Sequence, residues 1–560
     1  MVAVTHTFPG SGAGKRQPNV LLILTDEWRG QALGSAGDVN THTPHIDALA
    51  DESLTFEQAI AGTPICCPSR ASLLTGQYPL THGVYINDVP LKPTGTTLAE
   101  AFAGAGYDTA YIGKWHLFGS PEGRYERRES YIPEDARLGF QYWKAAECTH
   151  EYNRSSYYAG NDQAKRFWEG YDAIAQTADA CSYMRERSAG RPFFLTLSYG
   201  PPRFPLDSAP EEYAALYRDR PLELRPNVPE GRREDALRDL RGYYAHIAAV
   251  DECVGRLLAT VDEAGLAEST IVIFTSDHGA MLGSQGLEHK LTPWEESIRV
   301  PLLVRGPGMI TPASTDILLN TPDLMPTLLG LAGIAVPAGV EGVDVLAPGT
   351  PRPTSAFLSV PVSFSSLRHD GFSEYRGVRD ARYTYVRSHS GPWLLYDNKN
   401  DAYQMRNLCD DPAARPVRDR LERELTSFLE SLHDEFLPSR EYLERDGWAH
   451  YFEVNTRKGH VDSPWGDWES TLPGEESGWS VNVTPLQAIM ADPVARDIVA
   501  EELPDLIQLD ELERCLPATL VVLNAFMPEL VNAEGVAAVA ARLSELGTHG
   551  HAESPRLLDS

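Results

Sequence analysis

Residues 20–26 read Val20-Leu21-Leu22-Ile23-Leu24-Thr25-Asp26, a short apolar run that ends on a carboxylate. Six consecutive apolar or β-branched residues suit a strand buried on both faces, because an amphipathic helix would interrupt them with polar positions. The pattern recurs along the chain. Thr109–Gly113 runs into Lys114 and His116, Phe193–Ser198 into a Pro-rich turn around Arg203, and Thr270–Ser276 into Asp277 and His278. Arg299–Arg305 is a fifth such run, and helical stretches lie near residues 46–54, 96–105, 164–188 and 232–264. Buried strands alternating with helices predict an α/β fold, with a large mixed, mostly parallel sheet sandwiched by helices. Open sheets of this kind bind ligands outside the C-terminal ends of their strands. The polar residues that follow these strands are therefore expected to converge on one site.

The 560 residues are too many for one hydrophobic core, and three regions are expected. Residues 1–350 form the α/β domain. Beyond Pro351–Thr354, Arg376–Arg387 and Leu394–Tyr396 read as antiparallel strands and Val417–Phe436 as an amphipathic helix, so 351–450 is a smaller C-terminal α+β domain. Residues 451–560 hold 19 acids and 6 bases, and this tail supplies −13 of the formal net charge of −30. Trp465, Trp468 and Trp479 sit there in a Gly/Ser/Pro-rich stretch, and Thr484-Pro485 and Asp492-Pro493 are helix starts. The tail reads as a helical appendage that packs or serves as a homo-oligomer contact.

At 42% hydrophobic and 23% charged, the chain has the composition of a folded protein. Its 49 Lys and Arg against 79 Asp and Glu argue against a nucleic-acid partner and against a broad polyanion receptor, while leaving room for a small basic pocket. No apolar run reaches the 18 residues of a membrane span, so no membrane contact is expected. The N-terminal stretch lacks the long apolar segment of a signal peptide, and the expected location is the cytoplasm. Seven scattered cysteines, an odd number, form neither a disulfide framework nor a CxxC metal motif.

The segment Cys66-Cys67-Pro68-Ser69-Arg70-Ala71-Ser72-Leu73-Leu74-Thr75-Gly76 is the sharpest chemical signal. Pro68 suits the first position of a helix and Gly76 its end. Cys66 would then lie just before a helix N-terminus, where N–H groups and the dipole favour negative charge. Taken alone, Cys66 and Arg70 would more often be a buried thiol beside a structural arginine. The pattern C-x-P-x-R followed by A-S-L-L-T-G, however, resembles the signature of the type I, formylglycine-dependent sulfatases of the alkaline phosphatase superfamily. The resemblance extends from Asn19 to about Leu408 through T-D-E-W-R (25–29), T-P-H-I-D (43–47), H-G-V (82–84), G-K-W-H (113–116), T-S-D-H-G (275–279), P-L-L-V-R-G-P-G (301–308), P-T-L-L (326–329) and L-Y-D (395–397).

The resemblance implies a sulfuric ester hydrolase that acts on a small sulfate ester, with Cys66 oxidised to formylglycine by a separate maturation enzyme. It implies metal ligands at Asp26, Asp277, His278 and position 66, with Glu27 standing where many relatives have a second Asp. The implied ion is Ca²⁺ or Mg²⁺; calcium is expected because its coordination is flexible, and ligand softness alone also admits Mn²⁺ or Zn²⁺. Arg70, Lys114, His116 and Lys290 match positions around the formylglycine and the sulfate, and Asn87 matches a substrate contact. The implied reaction is an in-line attack on sulfur by the hydrated aldehyde, followed by sulfate release assisted by His116. Lys290 is the first choice to assist the leaving group, with His289 as a substitute.

One position departs from the family pattern. In Gly200-Pro201-Pro202-Arg203-Phe204-Pro205, Arg203 replaces a His that contacts the ester and helps at the leaving group. Arginine binds a sulfate oxygen but yields no proton near neutral pH. Ala280, Ser284 and Gln285 stand where many relatives have Asp, Asp and His. Two other readings follow: a phosphonate monoester or phosphodiester hydrolase of the same superfamily, and an inactive binding or scaffold protein that keeps the fold.

Overall fold

The computed structural model describes residues 17–450 and 486–545, apart from 122–126, 188–189, 307, 309, 365–366, 368–369, 510–511, 513–519, 521–522 and 524–529. Trp465, Trp468, Trp479 and the Thr484-Pro485 helix start lie outside the described residues.

The first apolar run is a strand, β1 (Asn19–Asp26), buried at every position. Its side chains alternate between two cores. Val20, Leu22 and Leu24 pack on one face of the sheet, and Leu21 and Ile23 on the other. The remaining strands are β2 (Leu54–Ile60), β3 (Asp108–Lys114), β4 (Tyr142–Ala146), β5 (Ser156–Ala159), β6 (Arg166–Phe167), β7 (Phe193–Pro202), β8 (Thr270–Ser276), β9 (Leu302–Arg305) and β10 (Ala313–Asn320). They form one sheet in the order β10-β2-β9-β8-β1-β7-β3-β4-β5-β6. From β8 through β1, β7 and β3 to β4 all pairings are parallel. This puts the ends of β1, β3, β7 and β8 along one edge. Among the covering helices, Arg233–Glu263 matches the expected 232–264 stretch.

In the main sheet and its covering helices the structure departs from the sequence expectation at several places, three of which bear on the site. The strand at Arg299–Arg305 is only Leu302–Arg305, and it runs antiparallel to both β2 and β8. The strand β2, which lies between β10 and β9, was not expected, because Glu57 and Gln58 interrupt its apolar run. The stretch 164–188 is not one helix: Arg166–Phe167 pairs with β5, Gly170 sits at φ +67, and the helix begins at Asp172. A glycine in the left-handed region ends regular structure at little steric cost.

A second, antiparallel sheet follows: β11 (Ser355–Val360), β12 (Tyr375–Asp380), β13 (Tyr383–Ser388) and β14 (Gly391–Asp397), in that order. The segment Arg376–Arg387 is thus a hairpin. Its turn is closed by Asp380, whose carboxylate accepts from the Arg382 and Tyr383 amides. The amphipathic helix is Arg415–Ser431, ending short of Phe436, and it buries Leu421 and Leu425 against this sheet. Beyond it, Asp434 pairs with Arg376 and accepts from the Tyr442 hydroxyl at 2.6 Å. The described tail residues carry a core of their own that includes Ile489, Val499, Leu506 and Val539. The Asp492-Pro493 helix start is present, with the Asp492 side chain accepting from the Val494 and Ala495 amides.

Candidate active site

The register of the sheet assembles the site. Parallel pairing of β1 with β8 places Thr25 beside Ser276, so Asp26 and Asp277 leave adjacent strands together. Asp26 also pairs with Pro202 at the end of β7, which brings Arg203 alongside. Gly113 of β3 pairs with Ser198, and Lys114 follows. Each of these side chains is buried. Glu27 and His116, just past two strand ends, hold positive φ values of 67° and 60°. Such backbone costs about 1 kcal/mol or more per residue and concentrates at functional sites.

The Cys66 segment forms the helix Cys66–Thr75, buried along its whole length and closed by Gly76 at φ 65°. Cys66 is its first residue rather than the one before it, and Pro68 is the third. A proline is tolerated there because first-turn N–H groups have no intrahelical partner. The Cys67 amide instead donates to Asn87 Oδ1 at 3.1 Å, so Asn87 caps this helix.

The Cys66 sulfur lies 3.3 Å from His278 Nε2, 3.2 Å from Arg203 Nη1 and 3.7 Å from Asp26 Oδ1. One donor atom from each of Asp26, Cys66, Asp277 and His278 falls within 4.8 Å of all the others. His278 Nδ1 stands 2.9 Å from the Gly279 carbonyl. As an Nδ1–H donor to that oxygen, it turns Nε2 toward the sulfur. Arg70 binds Asp277 through Nε at 3.0 Å, and its Nη1 reaches Ser198 Oγ at 2.8 Å and the Lys114 carbonyl at 3.1 Å. Lys114 donates to Asp26, and Arg203 stands 3.8 Å from both Asp26 and Glu27. Lys290 donates to Glu27 Oε1 at 2.5 Å. Glu27 is thus engaged with Lys290 and lies outside the four-donor cluster.

Charge in this buried volume is tightly coupled. Burial and Asp26 both push the Cys66 thiol up, but Lys290, Lys114 and Arg203 outweigh them and hold it well below its ordinary value. Burial likewise opposes ionisation of Asp26, while Lys114, Arg203 and Arg70 hold its carboxyl far down. Burial and Asp26 push the Asp277 carboxyl up. Burial disfavours the His278 imidazolium, yet Asp277 and Cys66 lift it to about 9.

His116 stands 3.6 Å from Asp88, which is bound by Arg128 at 3.0 Å. The Asp88 amide donates to the Cys67 sulfur. Burial opposes protonation of His116, but Cys148, Cys67 and Asp88 raise it well above its ordinary value. His289 lies against Phe204, the neighbour of Arg203, with ring centres 5.7 Å apart. Ala280 and Ser284 are buried, and Gln285 donates to the Tyr403 and Gln404 carbonyls. Sequence reading missed Ser198, Asp88, Arg128 and Cys148. Ser198 was within reach, since it ends the apolar run Phe193–Ser198 that leads to the site.

The sulfatase family profile matches residues 18–334, and the profile for the C-terminal part of N-sulphoglucosamine sulphohydrolase matches 283–431. The chain belongs to the sulfatase family. An ulvan-active sulfatase of Formosa agariphila is 40% identical over 467 residues, covering 80% of this chain and 89% of that protein. A Bacteroides thetaiotaomicron sulfatase structure, from work on its metabolism of multiple glycosaminoglycans, is 30% identical with a TM-score of 0.68 and covers 77% of this chain and 99% of that one. The phosphonate monoester hydrolase of Agrobacterium radiobacter is more distant, at 26% identity and a TM-score of 0.59, covering 75% of this chain and 96% of that one. This sulfatase is a sulfuric ester hydrolase of mixed α/β fold. Family membership implies a metal and a formylglycine, and the four clustered donors offer a place for both.

Proposed function

We propose that the active form carries formylglycine at position 66, made by a dedicated maturation enzyme, and calcium held by Asp26, Asp277, His278 and the modified side chain. The observation that carries this reading is the Cys66 sulfur, set at a helix start within 4 Å of Asp26, His278 and Arg203. The donor chemistry fits a hard cation. Asp26 and Asp277 are carboxylates, and conversion of Cys66 exchanges the one soft donor for oxygen. Two buried carboxylates side by side also need more positive charge than their protein neighbours give Asp277, whose carboxyl burial and Asp26 push up. When bound, the ion supplies positive charge at the sulfate oxygens, and the hydrated aldehyde supplies the nucleophile.

The protein's own groups do the rest. Lys114 and Arg203 bind sulfate oxygens, and Arg70 holds Asp277 in place while anchoring the end of β3. Charge-assisted hydrogen bonds of this kind, already in place before reaction, stabilise the transition state. Lys290, steadied by Glu27, donates a proton to the leaving oxygen. His116, steered by Asp88 and held in its charged form by its neighbours, must first give up its own proton before it takes the one whose loss from position 66 releases sulfate. Arg203 contributes charge but no proton.

The ulvan-active relative supports a sulfated saccharide as the natural ester. The test is protein co-produced with a formylglycine-generating enzyme. Mass analysis should find the carbonyl at position 66, and aryl sulfate should be cleaved faster than an aryl phosphonate ester. Unmodified cysteine in active protein would overturn the nucleophile, and a faster phosphonate reaction would favour the phosphonate monoester reading.

A further inference from the structure

Behind the turn that follows β1 lies a cavity of about 380 Å³, within the range of small-molecule sites. None of Asp26, Cys66, Lys114, Arg203, Asp277 or His278 lines it. Arg29 does, and it is only 2% exposed. Its guanidinium forms no hydrogen bond or ion pair with any described residue; its one partner is the Tyr243 ring, 5.6 Å away. A buried cation is costly unless an anion or strong acceptors meet it. Ala280 and Ser284, in the neighbouring loop, offer no carboxylate.

Two further wall atoms are unmet. Gln31 Oε1 and Ser284 Oγ are buried without a hydrogen-bond partner among the described residues. The two further arginines in the wall are already paired: Arg225 with Glu296 at 2.8 Å and Arg299 with Glu295 at 3.4 Å. Among the arginines of the wall, Arg29 is therefore the one with no ion pair to a described residue. Asp38 and Glu223 also line the cavity and disfavour a doubly charged anion. Acceptors near a lone cation call for a ligand that joins one negative charge to several hydroxyl donors.

We propose that this cavity is a second ligand site that takes a hydroxylated monocarboxylate such as a sugar acid. The carboxylate pairs with the planar fork of Arg29, which matches it through two parallel hydrogen bonds. Hydroxyl groups donate to Gln31 Oε1 and the Asp38 or Glu223 carboxylates, and Ser284 donates to the ligand.

Calorimetric titration of the full-length, matured protein tests this with three probes: glucuronate, glucose and inorganic sulfate. Saturable binding is expected for glucuronate and not for glucose. Arg29→Gln should weaken glucuronate at least tenfold, and Gln31→Leu or Ser284→Ala severalfold, while Arg203→Ala leaves it unchanged. The last two cavity variants remove unmet polar atoms, so they keep the test decisive if Arg29→Gln fails to fold. Absence of glucuronate binding, binding unaltered by Gln31→Leu and Ser284→Ala together, or binding lost with Arg203→Ala would each overturn the proposal. Tighter binding of inorganic sulfate than of glucuronate at this cavity would overturn its carboxylate character.

Discussion

Around Cys66, Asp26, His278 and Arg203 reach one sulfur from three strand ends; Asp26 and His278 were legible at the ends of apolar runs, and Arg203 in the Pro-rich turn beyond a third. Asp88 and Arg128 were not, since a buried ion pair between two loops leaves no period in the sequence. The departure at position 203 has a measurable consequence. With arginine there, aryl sulfates carrying good leaving groups should be cleaved far better than alkyl sulfates, and Arg203→His should narrow the gap. Equal rates on both ester types in the parent enzyme would refute the assignment. Arg70→Ala should both unseat Asp277 and leave a buried carboxylate without its partner. Such losses cost about 3–5 kcal/mol, which a denaturant titration would read directly. An unchanged midpoint would show that the ion pair carries no stability.

At the scale of elements, the main apolar runs and the mostly parallel sheet were legible, but β2, the break before Asp172 and the direction of β9 were not. The strand β9 runs antiparallel within a largely parallel set, and three apolar residues and an arginine cannot announce that. The glycine between Ile112 and Lys114 shows how tightly the elements are joined. Gly113 has φ 104°, and a Cβ there would sit 2.1 Å from the Ser198 carbonyl oxygen of β7. Gly113→Ala is expected to push β3 from β7 and displace Lys114, lowering kcat more than KM and reducing stability. Normal kcat in a folded Gly113→Ala protein would show that the register tolerates the change.

For the whole molecule, the second sheet is fastened by Arg376 and Asp434, both buried. Burial pushes the Asp434 carboxyl up, but Arg376 and the Tyr442 hydroxyl outweigh it and hold it below its ordinary range. A carboxyl depressed on folding adds stability above its unfolded pKa of about 4 and loses it as pH falls toward the folded value. The denaturation midpoint should therefore drop between pH 5 and pH 3, and Asp434→Asn should flatten that drop. Calcium should raise the stability of the matured protein by about 2.7 kcal/mol at a hundredfold excess over Kd; a chelator should abolish both that gain and sulfate release. Thermal unfolding that is indifferent to calcium would argue against an ion at the four donors. The Asp492-Pro493 helix start was legible, but the core of the described tail residues was not, because small helices carry weak periodic signals.

Cys66 shows no accessible surface, and neither do the residues on either side of it, Ile65 and Cys67. An enzyme that grips a peptide around that thiol can do so only while the polypeptide is still extended, during or soon after synthesis. Supplying the modifying enzyme late, to finished molecules, should leave them permanently inert. The timing of a single oxidation would then decide how much of a cell's supply of this protein ever becomes competent.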